Sequence, residues 1–506
     1  MLPARESERG PNAVMAKVQI GKWLAPGHSA IVCWALIISG ASMLFPASVI
    51  AQNWGAPVWS QEFNGPQGLP DTTVWNFDLG NNNGWGNHEI EIYCGPPNYT
   101  GNPPQCPTQF STTTSNAYID GIGHLVIQAI NNGGTWTSAR MNTLTNPPTT
   151  FGPYGRIEAS EKLPIGAGLW PAFWALGSNI QTAGWPSCGE MDFMENVPAS
   201  AGQGPTIFSA TMHGPGYSGG NGLSQKYTFP TGDVTSFHTY GAIWSPFMVQ
   251  FYVDDPSNVF FIRTASDIPS GAQWVFNHPF ILITNLAVGG TGSWPGPPDN
   301  NTPNPAIMLV DYVRYYQAAA VAAPNLGNPG IISIPSGAST ASTTANLTAV
   351  SGSGRMYLNC STTAPKMKCS VNTGYTLNSS VADFTSTNSA TATVTVSASS
   401  SSMLPTLRFS PQSRFWRFRV FLTLLMGVLL LRAARARGRP RWANGMALAG
   451  LLLAGVLIVS CGGVGSSPPP VNNPPTPYSV TLNAYTVSGN GQAPDASVNI
   501  ELLVYH

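Results

Sequence analysis

Charge is scarce in this chain: Asp, Glu, Lys and Arg make up 9% of its 506 residues. The formal net charge of zero hides an uneven distribution. Nine of the 22 basic residues lie between Arg408 and Arg441, a stretch without acids, while residues 52–407 carry 18 acidic and 9 basic residues, a net of −9. Such an acidic body lacks the basic face that nucleic-acid binding requires. A helical apolar period is also missing from residues 52–317. Short aromatic and β-branched runs, such as His124–Ala129 and Met248–Val253, alternate there with Gly, Pro and Asn turns, and the chain holds 53 Gly and 45 Pro. This pattern predicts an all-β sandwich. No Cys/His spacing matches a zinc site.

The seven cysteines are few for this length. Cys94 and Cys106 flank a Pro-rich loop, and Cys360 and Cys369 form a second candidate pair, both suited to an oxidising destination. Cys188 reads as a small buried apolar residue. Residues 1–51 have the layout of an export signal, with Lys17 and Lys22 ahead of the apolar Ala30–Phe45 and a small-residue cleavage site at Val49-Ile50-Ala51. Residues 52–317 form the main domain. In residues 318–400 aromatics nearly vanish and Ala, Ser, Thr, Asn and Gly dominate, which fits a small Ig-like β region or a solvated linker. Two apolar stretches, Val420–Leu431 and Ala443–Val459, flank an arginine-rich loop, so residues 415–460 are expected to form a transmembrane helical hairpin. Residues 461–506 begin as a Pro-rich linker and end in a β-like tail that would complete the Ig-like sheet. The expected location is outside the cytoplasm, at the membrane or cell surface.

The densest chemistry lies in Glu190-Met191-Asp192-Phe193-Met194-Glu195. In a strand, Glu190 and Asp192 point to one side and Met191 and Phe193 to the other. Glu195 has the wrong parity for the acidic side unless a β-bulge absorbs one residue between Asp192 and Glu195. All three carboxyls then share one space. Like charges so close cannot all ionise, so the row should retain at least one proton. An ionised nucleophile beside a protonated acid, about 5–5.5 Å apart, is what retaining glycoside hydrolysis uses. The acidic body favours a neutral polysaccharide over a polyanionic one.

The acid row, preceded by Trp185-Pro186-Ser187-Cys188-Gly189, resembles the bulged E-x-D-x-x-E signature of glycoside hydrolase family 16, in its laminarinase branch. Further blocks resemble the family in the same order: Trp59–Gly65, Gly84–Glu89, Thr137–Arg140, Leu169–Trp174, Met212–Gly219, Asn285–Gly290 and Val310–Tyr316. The resemblance implies a concanavalin-like β-jelly-roll sandwich whose concave face holds the sugar. It implies Glu190 as nucleophile, Glu195 as acid/base and Asp192 as the group that sets their protonation. Asn87, Arg140 and His213 match positions that contact substrate hydroxyls, while Trp170, Trp174, Trp185 and Trp294 are candidate sugar platforms. No cofactor is needed for the chemistry. A structural calcium is implied by match at Asp311, with oxygens from the neighbourhoods of Glu62 and Gly123. The implied activity is an exported endo-β-1,3-glucanase acting on laminarin-like or mixed-linkage β-glucan. The alternatives are agarase-like, carrageenase-like or transglycosylating activity, a non-catalytic glucan-recognition protein, or an adhesin acting through the Ig-like part.

Overall fold

The computed structural model describes residues 54–318, 324–349, 354–385, 387, 389–398, 475–486 and 493–504. The export signal (1–51) and the hairpin (415–460) lie outside the described residues, as does the Pro-rich start of the C-terminal segment. Among the described residues no helix is long and apolar enough to cross a membrane.

Residues 54–318 form two sheets stacked face to face. The front sheet has seven strands in the spatial order Leu223–Thr228, Ile207–His213, Glu190–Glu195, Leu169–Gly177, Phe280–Val288, Arg140–Asn142 and Asn76–Phe77. The back sheet has ten, including Leu125–Asn132, Gly155–Lys162, His238–Ser245, Met248–Val253, Val259–Thr264 and Ala306–Tyr316. Alternation along each strand sends one set of side chains between the sheets. Phe173, Ala175, Met191, Phe193, Leu282 and Leu286 from the front meet Ile157, Ala159, Trp244, Phe251 and Val313 from the back in one buried core. Each large apolar side chain buried this way stabilises the fold by about 1.5–3 kcal/mol. The strand Trp59–Gln61 pairs with Val313–Tyr315, so the first and last blocks of the domain are zipped together. Cys94 and Cys106 are bonded as a disulfide across their loop.

Residues 325–398 fold as strands rather than as a solvated linker, and they do so together with the C-terminal segment. Thr476–Tyr485 pairs with Arg355–Thr362 on one side and Ala496–Val504 on the other, while Ala496–Val504 runs parallel to Ile331–Ile334. A four-stranded sheet packs on this five-stranded one around Ala392, Val394, Val396, Leu482, Ile500 and Leu502. The second disulfide joins Cys360 and Cys369.

This smaller sandwich sits against the outer face of the back sheet. Tyr357 and Val381 pack with Met248, Tyr252, Ile262 and Tyr316, and Phe247 lies 4.9 Å from the ring of Tyr485. Polar contacts edge the apolar patch: the hydroxyls of Ser266 and Tyr357 at 2.7 Å, and Asn378 Nδ2 donating to Asp267 Oδ2 at 2.6 Å.

Candidate active site

The acid strand carries the expected irregularity. Opposite Leu169–Gly177, Asp192 faces Trp174 and Met194 faces Phe173, so Phe193 is the extra residue. The register with Ile207–His213 shifts over the same stretch, between Asp192 and Glu195. Met191, Phe193 and Met194 are all driven into the core, where apolar burial favours them. Glu190, Asp192 and Glu195 emerge together on the front face. Gly189, at φ +73, makes the turn that starts the strand, a conformation that other residues rarely adopt.

The three carboxyls line a cleft of about 810 Å³. Burial pushes Glu190 up to about 8, with the charge of Asp192 adding to it. Glu195 is pushed up to about 7, again first by burial. Asp192, nearly inaccessible, is held well above the usual carboxylate range by burial and then by Glu195. Each glutamate also has donors that favour its charged form. Trp185 donates its indole N–H to Glu190 Oε2. Trp170 Nε1 donates to Glu195 Oε1 at 3.2 Å, and the Thr211 hydroxyl to Glu195 Oε2 at 3.4 Å. The row can therefore hold a proton and an anion side by side at neutral pH.

The other residues singled out in the sequence come to the same cleft. Asn87, Arg140, Trp170, Trp174, Trp185, His213 and Trp294 all line it. Trp185 and Trp294 are 49% and 41% exposed, which leaves their faces free to meet a sugar. Trp170 and Trp294 stand edge to face at 5.5 Å. The Arg140 guanidinium lies 4.6 Å from the ring centre of Trp174 and 5.0 Å from that of Trp85, and pairs with Asp78 at 2.8 Å. A row of carboxyls with indole platforms and fixed amide and guanidinium donors suits a neutral carbohydrate chain.

The family model for glycosyl hydrolases family 16 matches residues 108–313. A β-glucanase of Rhodothermus marinus is 35% identical over 293 residues, which cover 56% of this chain and 92% of that protein. The chain belongs to glycosyl hydrolase family 16. A glucan endo-1,3-beta-glucosidase of Cryptopygus antarcticus is 34% identical over 248 residues, covering 46% of this chain and 80% of that one. Among solved structures, the endo-beta-1,3-glucanase of Pyrococcus furiosus is 40% identical over 52% of this chain and 95% of its own, at a TM-score of 0.43. As a member of that family the chain is a glycoside hydrolase.

Several cleft residues of the family 16 domain are not among those picked from the sequence. They are Trp85, Glu89, Thr211, Ser224 and Asn285, with Gly219, Gly220 and Gly222 at one edge. A signal for Glu89 exists: Glu89 and Glu91 repeat the alternate-acid spacing of Glu190 and Asp192. Asn285, beside Thr284, interrupts the otherwise apolar run Phe280–Val288, which is itself a sign of a special position.

Of the residues matched to calcium, Glu62 has both carboxylate oxygens on Arg314, at 2.8 Å from Nε and 2.7 Å from Nη2. Beside Gly123 the nearest side-chain oxygen is Asn64 Oδ1, 3.4 Å from where a Cβ would stand. Asp311 is the one carboxylate of the set left unengaged by Arg314, and among the described residues no trio of metal-ligating side chains gathers around it.

Proposed function

We propose that this chain is a retaining endo-β-1,3-glucanase, exported and tethered to the membrane, acting on laminarin-like or mixed-linkage β-glucan. The observation that carries the proposal is the bulge at Phe193, which puts three carboxyls on one face of an open, tryptophan-lined cleft. Glu190 is the nucleophile. Its carboxylate attacks the anomeric carbon while Glu195 gives its proton to the leaving glycosidic oxygen, so the C–O bond breaks as the glycosyl-enzyme ester forms. Glu195, now ionised, takes a proton from water, whose oxygen displaces Glu190 and restores the original anomeric configuration. Burial and the neighbouring Glu195 keep a proton on Asp192, and the indole N–H of Trp185 favours Glu190 as the anion.

Linkage preference follows from the relatives, whose names include a β-glucanase and a glucan endo-1,3-beta-glucosidase. The tether is supported by the sequence, where two apolar stretches, Val420–Leu431 and Ala443–Val459, flank an arginine-rich loop. The chain leaves the small sandwich at Ala398 and re-enters at Thr476, whereas Tyr485, at the far end of the re-entering strand, meets the enzyme.

The test is product analysis of the whole chain on laminarin, barley glucan, agarose and carrageenan, with the anomeric configuration followed by NMR. Laminari-oligosaccharides released first as the β-anomer are the expected result. Inversion, or inactivity on every β-glucan, would remove the proposal.

A further inference from the structure

Behind one end of the cleft, a chain of buried polar groups backs the residues that face the sugar. Trp174 Nε1 donates to Asn285 Oδ1 at 2.8 Å, and Asn285 Nδ2 donates to the Tyr93 hydroxyl at 3.3 Å. That hydroxyl donates to Glu89 Oε2 at 3.0 Å, and Asn87 Nδ2 donates to Glu89 Oε1 at 3.0 Å. Asn87, Glu89, Trp174 and Asn285 line the cleft, whereas Glu91 does not. Glu91 lies one step deeper, fully buried and close enough to Glu89 to feel its charge.

The placement of Glu91 decides which of the two acids carries the proton. Its Oε2 accepts the backbone N–H of Val288 at 2.8 Å, while its Oε1 is buried and receives no N–H or O–H. Glu89 instead accepts on both oxygens. The charged groups nearby are Asp78 and Arg140, which pair with each other. Two buried carboxyls so close cannot both be anions. The proton therefore belongs on Glu91, whose Oε1 is the oxygen without a donor. Burial, followed by the charge of Glu89, pushes Glu91 well above the ordinary range, in line with this assignment.

We propose that Glu91 is a positioning residue for the cleft: as a neutral carboxylic acid it fixes Glu89, and through Glu89 it orients Asn87, Tyr93, Asn285 and Trp174 toward the glucan. This rests on reading the cleft as a β-glucan site. Glu91 touches no substrate, so its removal should weaken sugar binding more than bond cleavage.

The test measures kcat and KM separately on laminarin with full-length variants. Glu91→Gln keeps a donor toward Glu89 and an acceptor for Val288 N–H, and should stay within about twofold of wild type in both constants. Glu91→Leu removes both, and should raise KM about tenfold while kcat changes less than about threefold. Tyr93→Phe deletes only the hydroxyl between Glu89 and Asn285, and should raise KM in the same way. A Gln variant as impaired as the Leu variant would overturn the proposal, and so would an unchanged KM in Tyr93→Phe. If Glu91→Leu fails to fold, the Gln and Phe variants decide between them. A wild-type chain inactive on every β-glucan would sink the functional reading, and this inference with it. An active wild type whose variants leave KM unmoved would sink the inference alone.

Discussion

His213 Nε2 lies 3.2 Å from Asp192 Oδ2, and His213 pairs in register with Glu190 across the two strands. The imidazole thus stands against the acid row from the next strand, and its charge draws both Glu190 and Glu195 down against the larger upward push of burial. A pH dependence follows. Glu190 must be ionised and Glu195 protonated, the minority arrangement for groups at about 8 and about 7, so kcat/KM should fall below about 7 and again above about 8. Replacing His213 with Gln removes one downward influence on Glu190 and Glu195 and should move that alkaline limb to higher pH. A limb that stays in place in the variant would show that the imidazole does not bear on the acids.

Azide separates the roles of the two glutamates. Without the acid/base, in Glu195→Ala, turnover of glucan should fall by about 10²–10⁴-fold. A substrate with an activated leaving group should still load Glu190, and added azide should release a β-glycosyl azide. Glu190→Ala should give the α-azide instead, because a single displacement inverts. Identical azide anomers from both variants would be incompatible with the assignment.

Phe193 is the residue the bulge absorbs, and its ring packs 4.9 Å from Phe173 and 6.3 Å from Phe251. Phe193→Ala should cost about 3–5 kcal/mol of stability, measured by denaturant unfolding. Deleting Phe193 altogether leaves the acids at regular alternation, so the row should still face the cleft and retain some hydrolysis. Inserting one more residue after Phe193 also restores the alternation, but it carries Glu195 about 7 Å further along the strand from Glu190, too far for both to act on one bond, and should abolish hydrolysis. Equal activity in the deletion and the insertion would disprove the register argument.

Glu161 is buried between the sheets, with the Thr284 hydroxyl on one oxygen and no donor on the other, and burial pushes it up to about 8. An acid raised in the folded state holds its proton while the unfolded chain has released its own. Between the unfolded value near 4.5 and about 8 the native state binds more protons, so stability declines with rising pH across that window. Glu161→Gln does not ionise. Its melting temperature should decline less than wild type from pH 5 to 8, and parallel declines would remove Glu161 as a contributor.

Parity alone made the acid row legible, because one misplaced glutamate in an otherwise alternating strand demands a bulge. The all-β class was legible from the turn spacing, and Trp170, Trp174 and Trp185 from their place in the family motifs. Other features depend on pairings that sequence does not display. Asn285 meets the cleft because it pairs with Ala172 and Arg140, more than a hundred residues away. Glu89 and Glu91 look like a surface strand until a neighbouring strand buries them. The pairing of Cys360 with Leu482 in one sheet spans the whole 399–474 segment, and local alternation cannot announce a partner so distant.

The patch formed by Phe247, Met248, Tyr252 and Ile262 has a practical consequence for how the enzyme is made in the laboratory. A chain cut at residue 317 would keep every catalytic group yet lose the lid of Tyr357, Val381 and Tyr485. Its back would become an oily, half-aromatic surface of the sort that drives self-association. Low yield or clumping from such a truncation would reflect the missing cover and not a defective catalyst, so expression boundaries belong after residue 504.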